Sequence, residues 1–239
     1  MVATDALPEQ CDIKKPPLDE ETADAGGLGL AFDKTSTCST DMAAAYDKWG
    51  SKYTAEVRSW GYSAPEKATE MLLAAFEASA ASSTRAVLDA GCGSGLQSES
   101  MKAAGLGPLT GLDISEALLE EARATGRYAA CLKTDLNAPL ADHQDNSFDG
   151  GTCVGVLTYI DSSTSPNLLQ ELGRVVKPGG VVVFTSRTDK AEEWERCADG
   201  MEKAGIWKLF MKTEPLPYLL ANPEFSDKIM VILYCYTCC

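Results

Sequence analysis

With 239 residues, 45% of them apolar and 23% charged, the chain has the make-up of one large globular α/β domain rather than two small ones. Its 21 basic and 35 acidic residues leave a net charge of −14, and the only adjacent basic pair is Lys14–Lys15. A surface of that sign repels phosphate backbones and anionic headgroups, which speaks against nucleic acid and membranes as partners.

Residues 1–38 are rich in Pro, Gly, Asp, Glu and Thr and show little periodicity, so they read as a flexible acidic extension. They carry neither the layout of a secretory signal nor that of a transit peptide. No apolar run approaches the roughly 18–20 residues that a bilayer requires. The expectation is a cytoplasmic protein, monomer or homodimer, whose nine scattered cysteines are reduced thiols.

From residue 39 the pattern becomes helical, and 39–82 reads as an N-terminal helical lid on a domain running to 239. STDMAAAYDKWGSKYTAEVRSWGY opens on a cap at Ser39 or Thr40 and carries aromatics at Tyr46, Trp49, Tyr53 and Trp60. SAPEKATEMLLAAFEASAASS is a second helix with Pro65 in its first turn and apolar positions at 68, 71, 72, 75 and 76.

Strands and helices then alternate. Strands are expected at 85–90, 109–114, 128–136, 148–157 and 180–186, with helices at 96–105, 116–126, 165–177 and 190–205. The strands 206–214 and 227–237 close the chain. Repeated strand–helix units of this length predict a Rossmann-like, doubly wound sheet, mostly parallel with an antiparallel finish.

In such sheets ligands sit beyond the carboxyl ends of the strands, beside the first one. VLDAGCGSG lies there. Gly91 and Gly93 let the backbone approach a ligand, and the following helix offers free N–H groups. Asp113, in GLDIS, ends the second strand 24 residues after Asp89 and can accept both hydroxyls of a ribose. Asp135, in KTDLN, ends the third, where an adenine amine would meet it with Leu136 against the ring. Asp89 would face a cationic group across the loop. Each aspartate has an alternative as a cap or turn residue; three on one rim beside a glycine loop point to a ligand. A dinucleotide loop wants G-x-G-x-x-G, and Leu96 holds its last glycine position, which disfavours an oxidoreductase. The groups describe a nucleoside bearing positive charge and no pyrophosphate.

VLDAGCGSG, GLDIS, KTDLN, FDGGTCVGVLTYI and RVVKPGGVVVFTS together resemble the ordered motifs of class I S-adenosylmethionine-dependent methyltransferases, over residues 40–239. YDKWGSKYTAEVRSWGYSAPEKATEML and the ending GIWKLFMKTE…KIMVILYCY look like the Williams–Beuren-region methyltransferase-like group. The acidic extension and the tail YCYTCC depart from it. The resemblance implies a seven-stranded sheet whose last strand inserts antiparallel beside the fifth. It implies S-adenosyl-L-methionine as cofactor, held by Tyr46, Asp89, Gly91, Cys92, Gly93, Gly95, Asp113, Ile114, Asp135, Leu136 and Val154. It also implies that the first helix folds over the cofactor, so that Tyr46 and Tyr53 line its methyl and carboxylate ends. The alternative for Tyr46, Trp49 and Tyr53 is a packed helix face at i, i+3 and i+7.

A sulfonium methyl is already activated, so aligning a nucleophile can supply much of the catalysis and a base is optional. The catalytic residue is open, with Tyr53, Tyr159 and the lone His143 as candidates; His143 is otherwise a solvated loop residue. Tyr159 would begin a substrate wall that includes Tyr53 and Trp60. Arg187, after the fifth strand, would anchor a substrate carboxylate or simply pair with Asp189 or Glu192; Arg58 is a weaker candidate. YCYTCC raises a metal or arsenic site, but Cys235 and Cys238 fall on opposite faces of a strand, so no metal is expected. The reading is methyl transfer to a small molecule on O, N or S, a carboxylate-bearing methylthio acid being one candidate. The alternative is a non-catalytic S-adenosylmethionine-binding sensor or partner subunit.

Overall fold

A computed structural model of the protein describes residues 37–79, 85–222 and 229–239. The acidic extension expected over 1–38 lies outside the described residues as far as residue 36, as does the end of the expected lid at 80–82.

Three helices come first: α1 (Ser39–Trp49), then after a 3-10 turn α2 (Tyr53–Ser59), and α3 (Ala64–Ala78). The alternating part contains β1 (Val87–Ala90), α4 (Leu96–Ala103), β2 (Leu109–Asp113), α5 (Glu116–Ala124) and β3 (Ala130–Lys133). It continues with β4 (Phe148–Cys153), α6 (Leu168–Val175), β5 (Val176–Arg187), α7 (Ala191–Lys203), β6 (Trp207–Lys212), β7 (Leu216–Pro217) and β8 (Met230–Cys238).

The sheet order is β3-β2-β1-β4-β5-β8-β6. The first five strands run parallel, and β8 enters antiparallel between β5 and β6. The expected seven strands are present. The eighth, β7, is a two-residue pairing on β8 that proline-containing EPLPY does not announce.

Alternation along β5 sets the two core layers. Val181 and Val183 face a layer with Leu72 and Phe76 of α3, whereas Val182 and Phe184 face one with Leu172 of α6 and Trp194 of α7. Gly150 and Gly151 of β4 admit this close packing, since a Cβ on Gly150 would stand 2.9 Å from the Phe76 ring.

Several boundaries differ from expectation for local reasons. β3 stops at Lys133 because the Asp135 carboxylate turns back onto the Asn137 N–H, 2.9 Å away. β4 stops at Cys153 because Gly155 adopts φ +77 and Leu157–Tyr159 winds into a 3-10 turn. α6 begins only after Asn167, which forms a capping box with Gln170. β5 starts early, at Val176, and bulges before Val181: its register on β4 jumps from Phe148–Val176 to Gly150–Val181.

The carboxyl ends of β1 to β4 thus form one rim, and the N-terminal helices are tied down over it. Asp47 of α1 accepts from Ser115 Oγ (2.5 Å) and from the Ala117 N–H (3.2 Å) at the start of α5. Thr54 of α2 donates to Ser94 Oγ at 2.6 Å, and Ser39 donates to Asp135 at 2.8 Å.

Candidate cofactor and acceptor site

The glycine loop is built by backbone conformations that L-residues avoid. Gly91, Gly93 and Gly95 have φ of +80, +52 and +88. The N–H groups of Gly91 and Cys92 both donate to the Leu112 carbonyl, at 2.7 and 2.9 Å, which pins the loop to the end of β2. Asp113 completes the clamp: its Oδ2 accepts from the Gly93 N–H at 2.8 Å and its Oδ1 from the Ser115 N–H at 2.9 Å. Burial raises the Asp113 carboxyl above the usual carboxylate range, and these backbone bonds oppose the rise.

Over this loop lies a cleft of about 630 Å³, counting its open mouth. Gly91 and Gly93 form its floor, Asp113 and Ile114 one side, and Asp135 and Leu136 the next. Val154 and Tyr159 come from beyond β4, and Tyr46 and Tyr53 cover the cleft from α1 and α2. The structure therefore brings eight of the eleven residues expected at the cofactor into one lining, together with both tyrosines of the expected lid. Two of the other three, Asp89 and Cys92, are not far: they line a smaller adjoining cleft with Tyr53, Gly91, Gly93 and Val154.

The third, Gly95, is part of the loop but not of the lining. It turns beneath the floor, where a Cβ would stand 3.0 Å from the Tyr128 ring.

Asp89 is buried, and its carboxylate accepts from Tyr128 Oη at 2.6 Å and from Thr152 Oγ1 at 3.2 Å. Burial pushes its carboxyl up to about 6 against the pull of those two bonds. Tyr46, Tyr53 and Tyr159 pack as an aromatic group, with Tyr46 edge-on to both partners at centroid distances near 6 Å. Burial raises all three phenols above their ordinary value, so they remain protonated at neutral pH.

The geometry places His143, Trp60, Arg58 and Arg187 outside the lining of both clefts. His143 does not reach the cleft: its ring packs on Phe148, 5.6 Å away, at the amino end of β4 and so at the opposite edge of the sheet. Trp60 packs against Trp49 in the helical cover instead of facing the cleft, and Arg58 forms a surface pair with Glu99. Arg187 is not among the cleft residues; it makes a two-pronged bond to Asp189. Cys235 and Cys238 face opposite core layers, so the strand itself keeps the two thiols apart.

Some site residues escape sequence reasoning. Tyr128, which holds Asp89, lies 39 residues away with no motif around it. Ser39, read only as a cap, and Asn137 join Asp135 at the mouth: Asn137 donates to Ser39 Oγ at 3.0 Å. Among the described residues no helix is long and apolar enough to cross a membrane.

Comparison with known proteins agrees with this architecture. Residues 88–184 match the family described as a methyltransferase domain. The chain is 33% identical over 168 residues to human methyltransferase-like protein 27, covering 68% of this chain and 66% of that one. It is 37% identical over 142 residues to the malonyl-[acyl-carrier protein] O-methyltransferase of Erwinia pyrifoliae, covering 59% of this chain and 49% of the relative. The chain therefore spans between about half and just under two thirds of the length of these relatives. In fold it is similar to an S-adenosylmethionine-dependent methyltransferase from Mesorhizobium loti, with a TM-score of 0.51, 19% identity, and coverage of 64% of this chain and 91% of that one. The glycine loop, the aspartates on successive strand ends, the antiparallel β8 and these relationships lead to one assignment: residues 88–184 form a methyltransferase domain, and the chain has the class I fold of enzymes whose methyl donor is S-adenosyl-L-methionine.

Proposed function

We propose that this protein transfers a methyl group from S-adenosylmethionine to a small acceptor held between the tyrosine cover and the end of β4. The observation that carries the reading is the bare floor at Gly91, where a Cβ would collide with Val156, another residue of the cleft lining. The remaining donor set fits the cofactor. A carboxylate has about four acceptor sites, and those that Asp113 does not spend on backbone N–H groups of the loop would take the ribose hydroxyls. Asp135 makes both of its recorded bonds through Oδ1, leaving Oδ2 for the adenine amine, with Ile114 and Leu136 as apolar walls. Asp89 would serve the ammonium end from the adjoining cleft. When bound, the cofactor supplies an electrophilic methyl group.

The chain's own part is alignment and exclusion of water. Its phenols hold their protons, His143 is remote, and Asp89 is engaged by Tyr128 and Thr152. An acceptor that needs no deprotonation therefore fits best: a thioether sulfur or an already ionised carboxylate. A carboxylate-bearing methylthio acid remains within this class, and the cytoplasm is the compartment proposed. Calorimetric titration with S-adenosylmethionine, S-adenosylhomocysteine and NAD tests the reading. Micromolar binding of the first two, with none of NAD, is expected, followed by methylation of small thioethers and carboxylates read by mass spectrometry. Failure to bind either adenosyl compound would overturn it, and binding without turnover of any acceptor would favour a sensor.

A further inference from the structure

Arg187 ends β5 with its side chain only 5% exposed. Its Nε and Nη2 donate to the two oxygens of Asp189, at 3.0 and 2.9 Å, which fixes the plane of the guanidinium. The third nitrogen, Nη1, is buried and has no hydrogen-bond partner among the described residues. A guanidinium cannot shed its charge, so two charged N–H groups on Nη1 are withdrawn from bulk solvent with no acceptor among the described residues. Leaving a charged donor unsatisfied is among the costlier things a fold can do, and it is retained where a ligand supplies the missing acceptor.

The surroundings say what that ligand is. Alternation along β5 puts Arg187 on the face of Val183, the layer against which Val154 and Tyr218 pack. Its charge acts on the hydroxyls of Tyr159 and Tyr218, opposing the upward push that burial gives them. Tyr159 lines the main cleft, and Tyr218 packs edge-on to Tyr62, which lines the adjoining one. At Gly155, φ +77, a Cβ would stand 2.5 Å from Tyr62 Oη and 3.0 Å from Tyr218 Oη, so these hydroxyls press on bare backbone at the cleft edge. The phenols are neutral and cannot balance the cation. Asp189 pairs with it through two nitrogens, so the pair is neutral overall and Nη1 offers directed N–H groups with no surplus charge, which suits a single carboxylate and argues against a phosphate dianion.

We propose that Arg187 is a specificity residue that anchors a carboxylate of the methyl acceptor through Nη1, with the Tyr159, Tyr62 and Tyr218 hydroxyls around it. The inference rests on the methyltransferase reading and names the acceptor's class. Fixed at that end, the acceptor would present its nucleophile past Tyr159 toward the cofactor cleft.

The test uses the full chain saturated with S-adenosylhomocysteine. The probes are acetate and 3-(methylthio)propanoate, each compared with its neutral amide. Binding is followed through the Nε–H resonance of Arg187, assigned by its disappearance in Arg187→Gln. The expected result is a saturable shift with the carboxylates and none with the amides. Arg187→Gln should lose about tenfold or more in carboxylate affinity while binding S-adenosylhomocysteine unchanged. Asp189→Asn, which removes the competing carboxylate from a more exposed position, should tighten carboxylate binding, and it keeps the test decisive if Arg187→Gln does not fold. An Arg187 resonance unmoved by both carboxylates, or moved equally by the amides, overturns the anchor while the cofactor reading stands. Absence of S-adenosylhomocysteine binding to the wild type would instead sink the parent reading.

Discussion

Gly91→Ala separates the two reasons for a bare loop, backbone conformation and space. At φ +80 an alanine occupies the left-handed region, which costs an L-residue about 1–2 kcal/mol. Its Cβ would also stand 2.1 Å from Val156 Cγ2 and 3.2 Å from Val156 Cβ and Cγ1. Carbon atoms in contact settle at about 3.5–4.0 Å, so Val156 has to give way by more than an ångström. As a β-branched residue it has few rotamers to escape into, and its backbone leads directly into the turn that carries Tyr159. Overpacking of this kind costs about 1–3 kcal/mol, for a total of roughly 2–5 kcal/mol.

Urea unfolding measures this directly. With an m-value of about 2–3 kcal/mol/M, the midpoint should fall by roughly 1–2 M. The double variant Gly91→Ala/Val156→Ala removes both Cγ atoms and leaves φ as it was. It should be less destabilised than the sum of the two single variants by about 1–3 kcal/mol. A Gly91→Ala protein within about 0.5 kcal/mol of wild type, or strict additivity in the double variant, would refute the account of the loop.

Asp113→Ala should weaken S-adenosylhomocysteine binding by about 1.5–3 kcal/mol in calorimetry, the range for hydrogen bonds to a charged group; unchanged affinity would remove Asp113 from the ribose. Asp89 is raised to about 6 in the fold, so the folded state holds its proton longer than the unfolded chain, and stability is lost as pH climbs through about 4 to 6. Measured by urea unfolding at stepped pH, the stability of wild type relative to Asp89→Asn should fall by on the order of 3 kcal/mol across that window and then level off; a flat difference would contradict the burial argument. Arg174 bonds the buried Glu171 at 3.0 and 2.7 Å, so Arg174→Ala should cost about 3–5 kcal/mol by stranding that carboxylate, whereas Asp145→Ala, at the exposed end of the network, should cost less than about 1 kcal/mol in the same thermal melts.

The parts of the site that the sequence makes legible are local ones. A strand followed within two residues by a glycine loop, and an aspartate at the end of each of the next two strands, need only strand periodicity to be placed on one rim. What escapes is long-range closure: Tyr128 on Asp89 across 39 residues, and Ser39 on Asp135 across 96. Neither side chain sits in a pattern that differs from an ordinary cap or core position. His143 is a different kind of miss, because its place was derivable. A connection between parallel strands must return to the opposite edge before the next strand begins. His143 lies five residues before Phe148, the first residue of β4, and so belongs at the amino edge, where the structure puts it.

The same logic would let an acidic chain take a cationic cofactor and the proposed anionic acceptor in adjoining spaces. Asp89, Asp113 and Asp135 come from the ends of the first three strands, so the cofactor half of the rim carries the negative charge. The fifth strand contributes Arg187, on the far side of β4 in the sheet order. Between the two signs stands the tyrosine group, whose ring faces attract a cation by about 0.5–2 kcal/mol and whose hydroxyls donate to an anion. A sulfonium methyl on one side and a carboxylate on the other would each meet the end of the wall that favours it. The separation of charge along the sheet then orients both reactants before any proton has to move.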